Sequence, residues 1–188
     1  MNKKRLILAS ASPRRSELLK FLGHEFTVIP SCADENISPV PSAPSELVEK
    51  LSLIKAQEVF SKHSDACVIG ADTIVVLDGK ILGKPKDDAD AFRMLKILSG
   101  NTHTVYTGVS VLYGNTSITF HEATQVTFNT MTDDEINAYI ATKEPCDKAG
   151  AYGIQGYGSV FVHDIKGCYF NVMGLPVSRL YNALKEIY

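Results

Sequence analysis

The sequence predicts an α/β protein built on a mixed β-sheet. Short apolar runs of strand length alternate with helix-length segments along the whole chain. Two tight-turn signals, Asp78-Gly79 and Tyr113-Gly114-Asn115-Thr116, join neighbouring strands as hairpins, so part of the sheet is antiparallel. A length of 188 residues suffices for one good-sized domain, or for two lobes sharing a core.

Each element follows from local chemistry. Leu6 to Ala9 is a short buried strand. Ser12 is a good N-cap, Pro13 suits the first helical position and Gly23 lies just past the end, so a helix is expected between them with Leu18, Leu19 and Leu22 on its apolar face. Phe26 to Pro30 is extended. A Pro- and Ser-rich loop, Ser38 to Ser45, leads into a helix that Ser45 is expected to cap and that runs to about Lys62. Cys67 to Ala71 is a second buried strand, continuing to Leu77 and returning through Asp78-Gly79 as Lys80 to Leu82. Asp87 or Asp88 opens a helix ending near Gly100.

Val105 to Leu112 and Ser117 to Phe128 read as two long strands. Thr132 with Glu135 forms a capping box ahead of Ile136, Tyr139 and Ile140. A glycine-rich segment from Gly150 to Gly158 follows. Val160 to Val162 and Cys168 to Val172 are expected as strands joined near Lys166-Gly167, and Pro176 opens a last helix to about Ile187.

Composition excludes several function classes. The hydrophobic fraction of 45% and charged fraction of 21% are those of an ordinary soluble globular protein. The net charge of −2 offers no electrostatic footprint for nucleic acid, so an anion site must be local. Cys32, Cys67, Cys146 and Cys168 form no C-x-x-C pair and have no histidine at zinc-finger spacing, so buried free thiols in a reducing compartment are expected. Lys3, Lys4 and Arg5 precede an apolar run of only four residues, too short for a secretory leader. No stretch approaches a membrane span. A cytoplasmic protein without membrane partners is expected.

Several residues stand where plain structure does not call for them. With Ser12 as cap, Arg14 and Arg15 fall in the first helical turn, where the helix dipole disfavours cations by roughly 0.3–1 kcal/mol each. An anion at the helix start would reverse that sign, with backbone N–H groups and two guanidinium forks converging on it; solvated surface arginines are the alternative. Lys55 shares a helix face with Leu47, Leu51, Ile54 and Val59, so it either snorkels to the rim or aims into an interior site. Asp72 ends a buried apolar strand, where a carboxylate needs a partner and where open α/β sheets bind ligands; a structural turn residue is the other reading. Thr73 adjoins it as a hydroxyl donor.

Lys84-Pro85 follows the hairpin, and Asp34-Glu35 supplies two more acids. The glycine-rich segment has neither P-loop nor G-x-G-x-x-G spacing, so its glycines are read as letting backbone approach a ligand. Gln155 within it can donate and accept, which suits a nucleobase edge or an ordinary β-turn. Arg14, Arg15, Lys55 and Lys84 for phosphates, with Asp72 and Glu35 for a hard divalent cation, make a kit for a polyphosphate substrate.

In order along the chain stand Leu8-Ala9-Ser10-x-Ser12-Pro13-Arg14-Arg15, Gly70-Ala71-Asp72-Thr73, Gly83-Lys84-Pro85, Asp147 to Gly156 and Met173-Gly174-Leu175-Pro176. On these blocks the chain resembles the Maf family of nucleoside triphosphate pyrophosphatases. The resemblance implies a long mixed sheet flanked by helices, with two lobes and a central cleft, as in the inosine triphosphate pyrophosphatases. It implies cleavage of a nucleoside triphosphate to monophosphate and pyrophosphate with Mg²⁺ or Mn²⁺, a cytoplasmic and often homodimeric house-cleaning enzyme, and a link to cell-division arrest.

Thr73 and the run Ala149 to Gly156 resemble the subgroup acting on dTTP, UTP and modified pyrimidine nucleotides. By that resemblance Asp72 is the proton acceptor, Arg14, Thr73 and Gln155 set base selectivity, and Ser10, Arg15, Lys55, Lys84 and Glu35 line the site. Asp34-Glu35 departs from the Glu-Glu common in relatives, leaving open which acid serves the metal. A nucleotide-sensing binding protein of septum formation would use the same cations without catalysis.

Overall fold

The computed structural model describes residues 5–187; Lys3 and Lys4 of the rejected leader reading lie outside them. The strands are β1 (Leu6–Leu8), β2 (Phe26–Val28), β3 (Cys67–Leu77), β4 (Lys80–Leu82), β5 (Thr102–Tyr113), β6 (Thr116–Phe128) and β7 (Val162–Lys166). The helices are α1 (Pro13–Lys20), α2 (Pro44–Phe60), α3 (Asp88–Leu98), α4 (Asp133–Ala141), α5 (Tyr169–Met173) and α6 (Val177–Ile187). Hydrogen bonds order the sheet β2-β1-β3-β5-β6-β7, with β4 on β3. The expected mixed sheet is present: β1 pairs in parallel with β2 and β3, whereas β3–β4 and β6–β7 are antiparallel.

The chain divides into two compact units, and the boundaries cut β3, β5 and β6 along their length. The first comprises the residues up to Asp72, Thr107–Glu122 and those from Gly174 on. Its core includes Ile7, Ala9, Ala56, Val59, Val68 and Leu112, all buried. Two glycines decide how α2 lies in this unit. A Cβ on Gly70 would stand 2.3 Å from the Ser52 carbonyl oxygen, and one on Gly108 would stand 2.1 Å from that of Val48. Helix backbone therefore rests directly on strand backbone. Ser52 Oγ and Ser110 Oγ, 2.9 Å apart, hydrogen-bond in the same buried layer.

The second unit comprises Thr73–Tyr106 and Ala123–Met173. Its hairpin turn places Asp78 at φ 48° and Gly79 at φ 73°, as a two-residue Asp-Gly turn requires. Asp87 caps α3 by accepting from the Asp90 amide, and the Thr132–Glu135 capping box is complete on α4. His103, Phe128 and Tyr152 form a buried aromatic cluster with ring centroids 4.7–5.3 Å apart.

Four sequence expectations are corrected. Helix α2 is capped by Ala43, not Ser45, because Pro44 takes the first helical position and draws Ser45 inside. Val160 and Phe161 belong to a 3₁₀ turn, Tyr157–Phe161, in which Phe161 meets the ring of Tyr139; β7 begins at Val162. Cys168 to Val172 is not a strand. Gly167 at φ 136° redirects the chain, and α5 winds Asn171 inward, where Nδ2 donates to the Val105 carbonyl and Thr124 Oγ1, each at 3.0 Å. All four cysteines are free thiols, but only Cys67 is buried, and Cys32 and Cys146 are exposed.

Candidate active site

The site grows from the seating of α2 on β3. Asp72 does not end a strand as expected but lies within β3, which continues to Leu77; residues two apart in a strand share a face, so it projects from the same side of β3 as Gly70. Gly70 admits the helix, and Lys55 is the residue just before Ala56, whose amide nitrogen and Cβ lie under 3.0 Å from the position of a Cβ on Gly70. Lys55 Nζ consequently donates to Asp72 Oδ1 at 2.6 Å. Both side chains are only 13% exposed, so this is a mostly desolvated pair. The apolar-stripe lysine aims inward, at the carboxylate that needed a partner.

Glu35 joins them from the loop after β2. Its Oε2 lies 3.2 Å from Lys55 Nζ, and its side chain is 55% exposed. The adjacent Asp34 is engaged elsewhere: its Oδ1 accepts from the amide and side chain of Asn36, a local turn. Geometry thus separates the two acids. Glu35 faces Lys55 and Asp72, while Asp34 shapes the loop.

Ser12 occupies the N-cap position of α1 without a side-chain cap bond. Instead Ser10 Oγ, buried just past β1, accepts from the Ser12 amide at 3.3 Å and from Arg15 Nη1 at 3.1 Å. Arg15 Nε donates to the Gly174 carbonyl at 2.9 Å, fixing the guanidinium before any ligand arrives. Burial pulls Arg15 below its ordinary pKa; Asp72 opposes that, Arg14 adds to it and Glu35 opposes it again. Arg15 therefore feels a second cation and two carboxylates around the start of α1.

The remaining expected residues lie in the second unit. Thr73 follows Asp72 in β3 and, by strand alternation, faces the other way. Lys84 is exposed in the bend after β4, next to Gly83, whose carbonyl accepts from the Gly150 amide at 3.0 Å. Gln155 is exposed in the glycine-rich segment. The structure brings Ser10, Arg15, Lys55, Asp72 and Glu35 together within the first unit.

One residue escaped sequence reasoning. Glu144 accepts from Tyr139 Oη at 2.8 Å, the Tyr157 amide at 2.8 Å and the Gly158 amide at 3.1 Å, organising the segment that carries Gln155. Its partners are up to fourteen residues away with no periodicity to announce them.

Glu35 and Asp72 offer two hard carboxylates around one cationic position. That donor set fits Mg²⁺ or Mn²⁺, which accepts one or two carboxylates and completes its shell with phosphate and water oxygens. Among the described residues no cluster of three or more histidine, cysteine or acidic side chains would suit a fully protein-bound metal.

Comparison with known proteins adds three findings. The family model described as Maf-like protein matches residues 5–187. A Bacillus cereus protein named dTTP/UTP pyrophosphatase is 52% identical over 185 residues, covering 98% of this chain and 91% of that one; a Bacillus cytotoxicus protein of the same name is also 52% identical, covering 97% and 95%. The solved Ham1 protein of Staphylococcus aureus superposes with a TM-score of 0.58 at 14% identity, covering 98% of this chain and all of that one, a likeness of fold alone.

Proposed function

The chain belongs to the Maf family, and on that premise we propose that it hydrolyses dTTP and UTP to the nucleoside monophosphate and pyrophosphate. One observation carries the chemistry. Asp72 is a largely desolvated carboxylate, held by Lys55 beside a second, accessible carboxylate on Glu35. Lys55 fixes the orientation of Asp72, so a carboxylate able to take a proton from water is held in a set geometry.

In this reading Asp72 takes a proton from the water that attacks the α-phosphorus in line. Lys55, released in part from Asp72 as that carboxylate protonates, offers its charge to the phosphates. Arg15 is already oriented by Ser10 and Gly174, so its guanidinium meets the leaving pyrophosphate with little reorganisation. Arg14 adds charge beside Arg15, and Lys84 is a further cation proposed for the phosphates. Arg14, Thr73 and Gln155 select the base. Asp72 and Glu35 would hold a divalent cation, which when bound supplies charge neutralisation to the triphosphate.

The substrate is a free nucleotide rather than a nucleic acid, in line with the net charge of −2. Among the described residues no helix is long and apolar enough to cross a membrane. We place the enzyme in the cytoplasm as a homodimer, which light scattering of the purified protein checks.

The test is product analysis. Purified protein is incubated with each common nucleoside triphosphate and Mg²⁺ or Mn²⁺, and pyrophosphate and orthophosphate are measured separately. dTMP or UMP with equimolar pyrophosphate is expected. Orthophosphate as the primary product, or tight nucleotide binding without release, overturns the proposal.

A further inference from the structure

The glycine-rich segment does not hold its own shape. Glu144, in the 3₁₀ turn Glu144–Asp147, turns both carboxylate oxygens onto it. Oε1 accepts from Tyr139 Oη and the Gly158 amide, and Oε2 accepts from the Tyr157 amide. Tyr139 Oη in turn accepts from the Gly153 amide at 3.0 Å. Anchors at Gly153 on one side and at Tyr157 and Gly158 on the other bracket Gln155, which stays exposed between them.

The glycines record the same contact. A Cβ on Gly156 would lie 2.0 Å from Glu144 Oε2, and a Cβ on Gly153 would lie 2.9 Å from Oε1. Gly156 has φ −104° and ψ −143°, so a side chain there would meet the Glu144 carboxylate on a backbone that itself favours glycine. Burial pulls the Glu144 carboxyl up, but Tyr139, the Gly158 and Tyr157 amides and nearby Lys148 outweigh it and keep the group below its ordinary range. An ionised acceptor with three donors is a firmer anchor than a neutral one. Tyr139, itself buried, ties the anchor to α4.

We propose that Glu144, acting through Tyr139 and the loop amides, is the positioning residue for base selection: it fixes the loop so that Gln155 meets the nucleobase in one geometry. The proposal rests on the reading of Gln155 as a base-contacting residue.

The experiment measures kcat and KM for dTTP, UTP, CTP and GTP with the full chain as wild type, Gln155→Ala, Glu144→Ala, Glu144→Gln, Gly156→Ala and the Glu144→Ala/Gly156→Ala double variant. Glu144→Ala is expected to raise the KM for dTTP and cut the preference for dTTP over CTP about tenfold or more, with a smaller change in kcat. Glu144→Gln keeps one acceptor oxygen and recovers part of the preference. Gly156→Ala reproduces the loss, yet adds less once Glu144 is truncated, because the clash with the carboxylate is then gone.

Hydrogen exchange at the Tyr157 and Gly158 amides, faster in Glu144→Gln while the core is unchanged, reads loop anchoring even if the alanine variant folds poorly. If Gln155→Ala shifts base preference but the Glu144 and Gly156 variants stay within twofold of wild type, or exchange does not change, the positioning role is wrong. If Gln155→Ala itself leaves base preference unchanged, the base-contact reading fails and the proposal with it.

Discussion

Lys55 and Asp72 meet at 2.6 Å because Gly70, two residues before Asp72 on the same strand face, lets α2 touch β3 backbone to backbone. This contact makes the Asp72→Asn variant informative. The amide keeps the shape of the carboxylate, and Lys55 retains Glu35 at 3.2 Å, so no cation is stranded. The variant is expected to melt within a few degrees of wild type. It loses the proton acceptor, a role that commonly contributes about 10²–10⁴-fold, so turnover nearly disappears. Pyrophosphate release beside a thermal melt checks both halves, and wild-type turnover removes Asp72 from the role.

Gly70→Ala tests how the pair is built. The new methyl group would meet the Ser52 carbonyl, the Ala56 amide and the Ala56 Cβ, all under 3.0 Å away, and two of these are backbone that no rotamer change can clear. Overpacking of this kind costs about 1–3 kcal/mol or more, and α2 must lift from β3 to relieve it. Lys55 moves with the helix. Urea denaturation is expected to show the stability loss, and the folded fraction should turn over substrate more slowly than wild type. A stability loss without a rate defect would separate helix seating from catalysis.

Arg15→Lys asks whether geometry or charge matters at the start of α1. Arginine serves the Gly174 carbonyl through Nε and Ser10 Oγ through Nη1, two directions that one ammonium cannot reproduce. Losing one such charge-assisted bond costs about 1.5–3 kcal/mol. The lysine variant is therefore expected to melt lower and to show a raised KM for the triphosphate, although formal charge is unchanged. Equal KM values would make Arg15 a bridge of structure only.

The legible part of this protein is the part with a local signal. Asp72 stood out as a carboxylate breaking an apolar run, although it lies within β3 and not at its carboxyl end, and Lys55 as a cation inside an apolar stripe; neither reading needed the other, yet the two side chains are partners. The Asp78-Gly79 hairpin and the capping box on α4 were equally readable, because their geometry is set within four residues. The rest depends on distant contacts. Cys168 to Val172 has strand-like composition, but buried bonds from Asn171 to Val105 and Thr124 favour a helical turn. Ser45 looked like a cap because the competing Pro44 acts one residue earlier. Glu144 carried no local signal at all, since its significance lies in amides thirteen and fourteen residues on.

His103 gives the protein an expected acid sensitivity. The residue is 1% exposed and contacts Tyr152 Oη at 2.7 Å through Nε2, while Nδ1 has no hydrogen-bond partner among the described residues. Burial drives its pKa down to about 4, so the ring is neutral in the folded protein near pH 7. Tyr152 beside it is pushed up by its own burial and does not titrate in the acid range. In the unfolded chain the imidazole protonates near pH 6.5, so between that value and about 4 the unfolded state binds the extra proton. Stability contributed by the neutral ring is therefore fully present above about pH 6.5, and it declines as pH falls to about 4, by a total of about 3 kcal/mol. His103→Gln can still reach Tyr152 but does not titrate in this window. Denaturant-derived stabilities at steps from pH 7.5 to 4 should fall more steeply for wild type than for the variant, with the two slopes converging above pH 6.5. Parallel curves over the whole range would mean that His103 is accommodated as the cation.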